Sequence, residues 1–120
     1  HVCDIGMDKV FDTLMSAKAR YLLFETSNPR HAHEWVQIAE MDIPDDKILI
    51  PGVIDSTTNF IEHPELVAQR IERFADIVGK ERVIAGSDCG FGTFAGFGAV
   101  DPVNAYAKLS ALSDGAALVK

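Results

Sequence analysis

Apolar positions recur along this chain at two spacings, and the two alternate. Phe11, Leu14, Met15 and Lys18 fall at helical spacing, which predicts a helix over residues 7–19. Tyr21-Leu22-Leu23-Phe24 is a short continuous apolar run of the kind a buried strand shows. Asn28-Pro29 is a capping residue followed by proline at the first helical position, which predicts a helix to about Met41. Lys47 to Ile54 holds Ile48-Leu49-Ile50 and Val53-Ile54 with Pro51-Gly52 between them, a strand with an irregular exit. His63-Pro64 opens the clearest helix, in which Val67, Ile71, Phe74 and Val78 form one stripe that Gly79 ends. Arg82 to Ala85 is a further strand, and Asp101-Pro102 starts a last helix that pauses near Asp114-Gly115.

Strands alternating with helices of this length mean parallel β/α units. The pattern holds three complete strands, four helices and, at His1-Val2-Cys3, the tail of another strand. A closed eight-fold barrel takes about 250 residues, roughly twice this chain. The expected fold is α/β: the carboxy-terminal half of a (β/α)8 TIM barrel over residues 1–120, with the upstream half outside this chain. A missing half-barrel or a second copy is then the expected partner. The competing fold, an open doubly wound sheet, lacks its signature, because no Gly-x-Gly-x-x-Gly turn follows a strand. The glycine-rich stretch from Gly90 to Gly98 has no Lys-Ser/Thr of a phosphate loop and reads as a loop at the barrel mouth.

Composition narrows the function. The formal net charge of −7 argues against nucleic acid and anionic membrane as partners, since both reward a basic surface. No apolar run approaches the roughly 20 residues that span a bilayer. Two cysteines with no visible export signal fit a reducing compartment, so the cytoplasm is the expected location.

The candidate chemistry lies at strand ends. His1 and Cys3 lie on the same side of an extended segment. Glu25 closes the Tyr21–Phe24 run, and Cys89 follows the last strand. Strand ends on one rim of a barrel converge, and that rim is where barrel enzymes hold their chemistry. Two thiolates, one imidazole and one carboxylate are ligand types that a zinc ion (Zn2+) takes. With that set the centre carries about one net negative charge, a poor Lewis acid for hydrolysis but suited to holding a substrate thiol as thiolate. The carboxylate is the hardest ligand and the one to leave when a soft sulfur arrives. The expected chemistry is alkylation of a thiol. The alternative for the same residues is an inert pair of buried cysteines.

Four segments together resemble the cobalamin-independent methionine synthase family: His1-Val2-Cys3, the run Phe24-Glu25-Thr26-Ser27-Asn28-Pro29-Arg30-His31-Ala32-His33-Glu34-Trp35, Pro51-Gly52-Val53-Ile54-Asp55, and Ser87-Asp88-Cys89-Gly90-Phe91-Gly92-Thr93. More narrowly they are similar to its short, single-barrel members, which include the epoxyalkane:coenzyme M transferases. The resemblance implies a zinc-dependent methyl- or alkyltransferase on a (β/α)8 barrel, with His1, Cys3, Glu25 and Cys89 as metal ligands. It implies a small thiol acceptor, homocysteine or similar, and a methyl or alkyl donor such as a methyltetrahydropteroyltriglutamate. Epoxide opening by coenzyme M is the enzyme alternative, and a non-catalytic fragment or zinc-binding assembly piece the alternative of another class.

Two departures stand out. The methionine synthases carry a histidine just after the Gly-Val-x-Asp strand, thought to act as acid, and Ser56-Thr57-Thr58 occupies that place here, with Thr57 nearest to it. Relatives often have a longer loop after His-x-Cys, whereas Asp4-Ile5-Gly6-Met7 follows at once. Among the remaining residues, Asp55 is the candidate catalytic group, accepting a proton or orienting a substrate amine, or else it caps the following turn. Asp88 is a candidate hydrogen-bond partner for a ligand. Arg30, His31 and His33 are either substrate contacts or a polar helix entry, His63 is a helix-entry residue and Trp35 is core packing.

Overall fold

The computed structural model describes residues 4–92, 95–96 and 98–120; His1 and Cys3, and part of the glycine-rich loop, lie outside them. The elements run α1 (Met7–Ser16), β1 (Tyr21–Phe24), α2 (Trp35–Ala39), β2 (Ile48–Ile54), α3 (Pro64–Val78), β3 (Gly86–Ser87) and α4 (Pro102–Leu118). The three strands form one parallel sheet in the order β1-β2-β3. Tyr21 pairs with Ile48 and Phe24 with Pro51, so β1 and β2 end on the same edge. Consecutive parallel strands joined through helices are the β/α units that the apolar pattern predicts.

The helices cover one face of the sheet. Leu22 of β1 and Leu49 of β2 are buried with Met7 and Phe11 of α1, Ile38 of α2, and Phe74 and Val78 of α3. Val53 and Ile54 pack on Val67 and Ile71 of α3 in a second cluster. Each such side chain, fully buried, contributes about 1.5–3 kcal/mol. On β1 the alternate positions are open, Tyr21 being 54% and Leu23 61% exposed. Parallel sheets are normally covered on both faces, so this face is the side on which a barrel interior would lie.

Departures from the sequence expectations have local causes. Helix α1 stops at Ser16 rather than 19, where buried Lys47 takes the carbonyls of Ala17 and Ala19 at 2.6 and 2.8 Å. The helix expected from Pro29 does not start there: Asn28 Oδ1 accepts the N–H of Arg30, but the cap opens a turn. Only Trp35–Ala39 is regular helix, because His31 and Glu34 are drawn toward the start of α1. Strand β2 runs unbroken through Pro51-Gly52, but Pro51 has no N–H to give a ladder. The expected strand at Arg82–Ala85 accordingly makes a single bridge, Val83 to Leu49, and regular pairing resumes only at Gly86–Ser87. Helix α4 does not pause at Asp114-Gly115. Gly115 lies against α3, where a Cβ would come 2.7 Å from the carbonyl oxygen of Pro64. Helix α3 matches its expectation in both bounds and stripe, and His63 caps it by accepting the N–H of Glu65.

Candidate metal and substrate site

Glu25 follows β1 directly and Cys89 lies two residues past β3, so the parallel order puts both at the same rim with β2 between them. They meet across it. Cys89 Sγ donates to Glu25 Oε1 at 2.5 Å, over 64 residues of sequence. Gly52 of β2 makes the crossing possible: a Cβ there would lie 2.8 Å from both the Cα and the N of Asp88. The Gly52 carbonyl also accepts from the hydroxyls of Thr26 and Ser27, at 2.6 and 2.7 Å. The loop after β1 is thereby pinned to β2.

Asp88 is the anchor beneath the rim. It is 4% exposed. Its Oδ1 accepts the N–H groups of Thr26 and Ser27, both at 2.9 Å, and its Oδ2 those of the Asn28 backbone at 2.8 Å and side chain at 3.0 Å. Burial pushes its carboxyl above the ordinary range, against the pull of those donors. Through Asn28 it reaches a candidate ligand, because the Asn28 amide also donates to Glu25 Oε2 at 2.9 Å.

On the other flank, His31 Nδ1 lies 2.9 Å from Glu34 Oε2, and Nε2 lies 3.2 Å from Asp4 Oδ2 and 3.8 Å from Glu25 Oε2. Glu34 is buried and its second oxygen accepts the N–H of Met7, tying this dyad to the first turn of α1. Burial works against a charged ring, but the hydrogen bond and charge of Glu34, the hydrogen bond to Asp4 and the charge of Glu25 outweigh it and hold the His31 pKa above its usual value. One ligand atom from each of Asp4, Glu25 and His31 lies within 4.8 Å of the others. A cavity of about 240 Å³ opens beside them, bounded by Phe24, Met7 and Glu34.

The Cys89 thiol is pushed up to about 11, by desolvation first and then by the hydrogen bond and charge of Glu25, with the Ser56 hydroxyl working in the opposite direction. Without a metal the thiol therefore stays protonated at pH 7. Alkylation of Cys89 by iodoacetamide in excess chelator, followed by peptide mass spectrometry, is expected to be slow, and Glu25→Gln to speed it about tenfold. An unchanged rate would show that Glu25 does not control this thiol.

Asp55 lies at the end of β2 and is 7% exposed. Its Oδ1 accepts the backbone N–H of Thr57 at 3.1 Å and the Thr57 hydroxyl at 2.8 Å, so in this structure it caps the turn. Burial opposes its ionisation, but the hydrogen bonds of Thr57 and Thr58 and the charge of Lys108 hold its pKa below the ordinary carboxylate value. Its backbone N–H donates to Glu62 Oε2 at 2.7 Å, and Glu62 Oε1 meets the fully buried Lys108 Nζ at 2.6 Å. Arg30 and His33 are exposed, and Trp35 packs beside the core with the Arg73 guanidinium 5.1 Å over its ring.

The structure therefore brings Glu25 and Cys89 together and places Asp55 at the rim in a separate hydrogen-bond set. His1 and Cys3 precede Asp4, which is at the cluster, and themselves lie outside the described residues. Asp4, Asn28 and Glu34 were not evident as site residues. Asn28 carries a helix-cap signal that conceals its amide's second role, and Asp4 and Glu34 carry none beyond their charge.

Comparison with known proteins bears on the family and the fold. No curated protein matches the chain. The solved structure of a B12-independent methionine synthase from Shewanella sp. W3-18-1, in complex with selenomethionine, superposes with a TM-score of 0.68 at 22% identity. The match covers 92% of this chain and 29% of that one, so this chain shares the fold of less than a third of that protein. The family described as "Cobalamin-independent synthase, Catalytic domain" matches residues 1–108. Only the later turns of α4 and the last two residues fall outside that match, and the chain belongs to the cobalamin-independent synthase catalytic-domain family.

Proposed function

We propose that this chain is the carboxy-terminal half of a zinc-dependent methyltransferase acting on a thiol, of the 5-methyltetrahydropteroyltriglutamate–homocysteine type that makes methionine. The observation that carries the reading is the meeting of Glu25 and Cys89 across β2. The donor chemistry fits a cation. A carboxylate pressed on a thiol keeps that thiol protonated, whereas a divalent ion between them would favour both anions at once. His1, Cys3, Glu25 and Cys89 are the residues that would hold zinc, and zinc, when bound, supplies the positive charge that lets an acceptor thiol ionise near neutral pH. In the transfer the acceptor S–H loses its proton, a sulfur–carbon bond forms as the donor's nitrogen–carbon bond breaks, and the departing nitrogen takes up a proton.

The chain's own residues prepare that step. Asp88 and Asn28 fix the loop that presents Glu25, and the Glu34–His31 dyad backs the same carboxylate from the other side. Asp55 is the proposed group to accept a proton or orient a substrate amine, a reading supported by its position directly after β2. The open face of β1 supports a partner that completes the barrel, either the upstream half or a second copy. Among the described residues no helix is long and apolar enough to cross a membrane, and the cytoplasm remains the proposed location.

A second reading, epoxide opening by coenzyme M, is favoured by one feature. Thr57, nearest the place of the expected acid histidine, is hydrogen-bonded to Asp55 and offers no imidazole. Assays of the barrel-complete protein with homocysteine and methylated folate, beside coenzyme M and an epoxide, separate the two. Product only in the first supports the proposal, and product only in the second supports the epoxide reading. Product in neither favours a non-catalytic zinc-binding piece.

A further inference from the structure

The Asn28 amide has one possible orientation. Its Oδ1 accepts the N–H of Arg30 at 3.0 Å, so turning the amide over would set two donors against each other. Its Nδ2 then faces two carboxylates and gives one hydrogen to each, at 2.9 Å to Glu25 Oε2 and 3.0 Å to Asp88 Oδ2. The residue is 1% exposed, so water does not compete for these bonds. The other Glu25 oxygen, Oε1, faces Cys89.

We infer that Asn28 is a positioning residue that holds Glu25 Oε2 and so limits Glu25 to offering a single oxygen, Oε1, on the Cys89 side. The inference rests on the zinc reading above and adds a residue outside the ligand set. Asp88 gives the device its direction: it grips the amide from behind while its own position is set by the N–H groups of Thr26 and Ser27. The consequence is control of ligand number. A carboxylate with both oxygens available suits larger cations that take six to eight oxygen ligands, whereas one oxygen beside sulfur and nitrogen suits a four-coordinate zinc ion.

The test is zinc affinity, measured by competition with a chromogenic chelator, in the wild-type chain, Asn28→Ser, Glu25→Ala and the double variant. Asn28→Ser is expected to weaken zinc about 10- to 100-fold. In the Glu25→Ala background the same substitution is expected to change affinity less than about twofold, because its target has gone. Ser27→Ala, which removes one of the two hydroxyl bonds from the same loop to Gly52 without touching Glu25, is expected to stay close to wild type. Where circular dichroism shows Asn28→Ser unfolded, Asn28→Thr replaces it, keeping a side-chain oxygen for the N–H of Arg30 and more of the volume but losing the amide donor, with the same loss expected. Equal losses with and without Glu25, or wild-type affinity in the Asn28 variant, would overturn the inference alone. A wild-type chain that binds no zinc would overturn the metal reading and the inference together.

Discussion

Cys89→Ser is expected to lower zinc affinity at least about a hundredfold while leaving the fold intact. Cys89 follows the two-residue β3, is exposed, and packs into neither core cluster, so its loss removes little burial. What it removes is a thiolate, and a serine hydroxyl is too weak an acid to replace one at neutral pH. The effect is readable without any substrate. A ligand that binds only the folded state raises its stability in proportion to the logarithm of concentration over Kd. The melting temperature of the wild-type chain should therefore rise with added zinc and fall with chelator, whereas Cys89→Ser should respond to neither over the same range. A Cys89→Ser chain with wild-type zinc content would remove this residue from the site, and with it the functional meaning given to its contact with Glu25.

The second large effect concerns stability. Lys108→Met is expected to cost about 3 kcal/mol, the usual consequence of breaking a buried ion pair from one side. Lys108 is fully buried on α4 and spends its charge on Glu62 Oε1 and on the carbonyl of Phe60, so it fastens the loop after β2 to the last helix. Without it the Glu62 carboxylate keeps the N–H of Asp55 at 2.7 Å and an Arg70 guanidinium 3.9 Å away, which is too little for a group whose side chain is 8% exposed. A fall in melting temperature of about 10 °C is the corresponding signal for a chain of this size. Lys108→Met combined with Glu62→Gln should recover most of the loss, because the carboxylate that Lys108 balanced is then neutral. If the single variant costs under about 1 kcal/mol, the pair is not what holds the Asp55 loop.

How much of this was visible in the sequence depended on how local each cause is. The α3 stripe and its caps were legible because spacing, proline and glycine act within a few residues. Glu25 and Cys89 were legible as a pair because parallel strands put their ends on one rim whatever their separation. Helix α2 was only half legible. Asn28-Pro29 does begin a capped turn, but Glu34 bonds to Met7 and His31 to Asp4, and each of those partners lies 27 residues earlier. The β3 ladder was misplaced because the missing N–H of Pro51 belongs to the neighbouring strand and not to the segment that loses the bond. The role of Asn28 was hidden for the same reason. One side chain closes a turn locally and also bonds Asp88, 60 positions away.

Zinc K-edge X-ray absorption of the chain loaded with one equivalent of metal tests the proposed ligand set most directly. His1, Cys3, Glu25 and Cys89 predict two sulfur neighbours at about 2.3 Å and two nitrogen or oxygen neighbours at about 2.0 Å. A first shell of nitrogen and oxygen alone would contradict the proposed site and the thiol chemistry built on it.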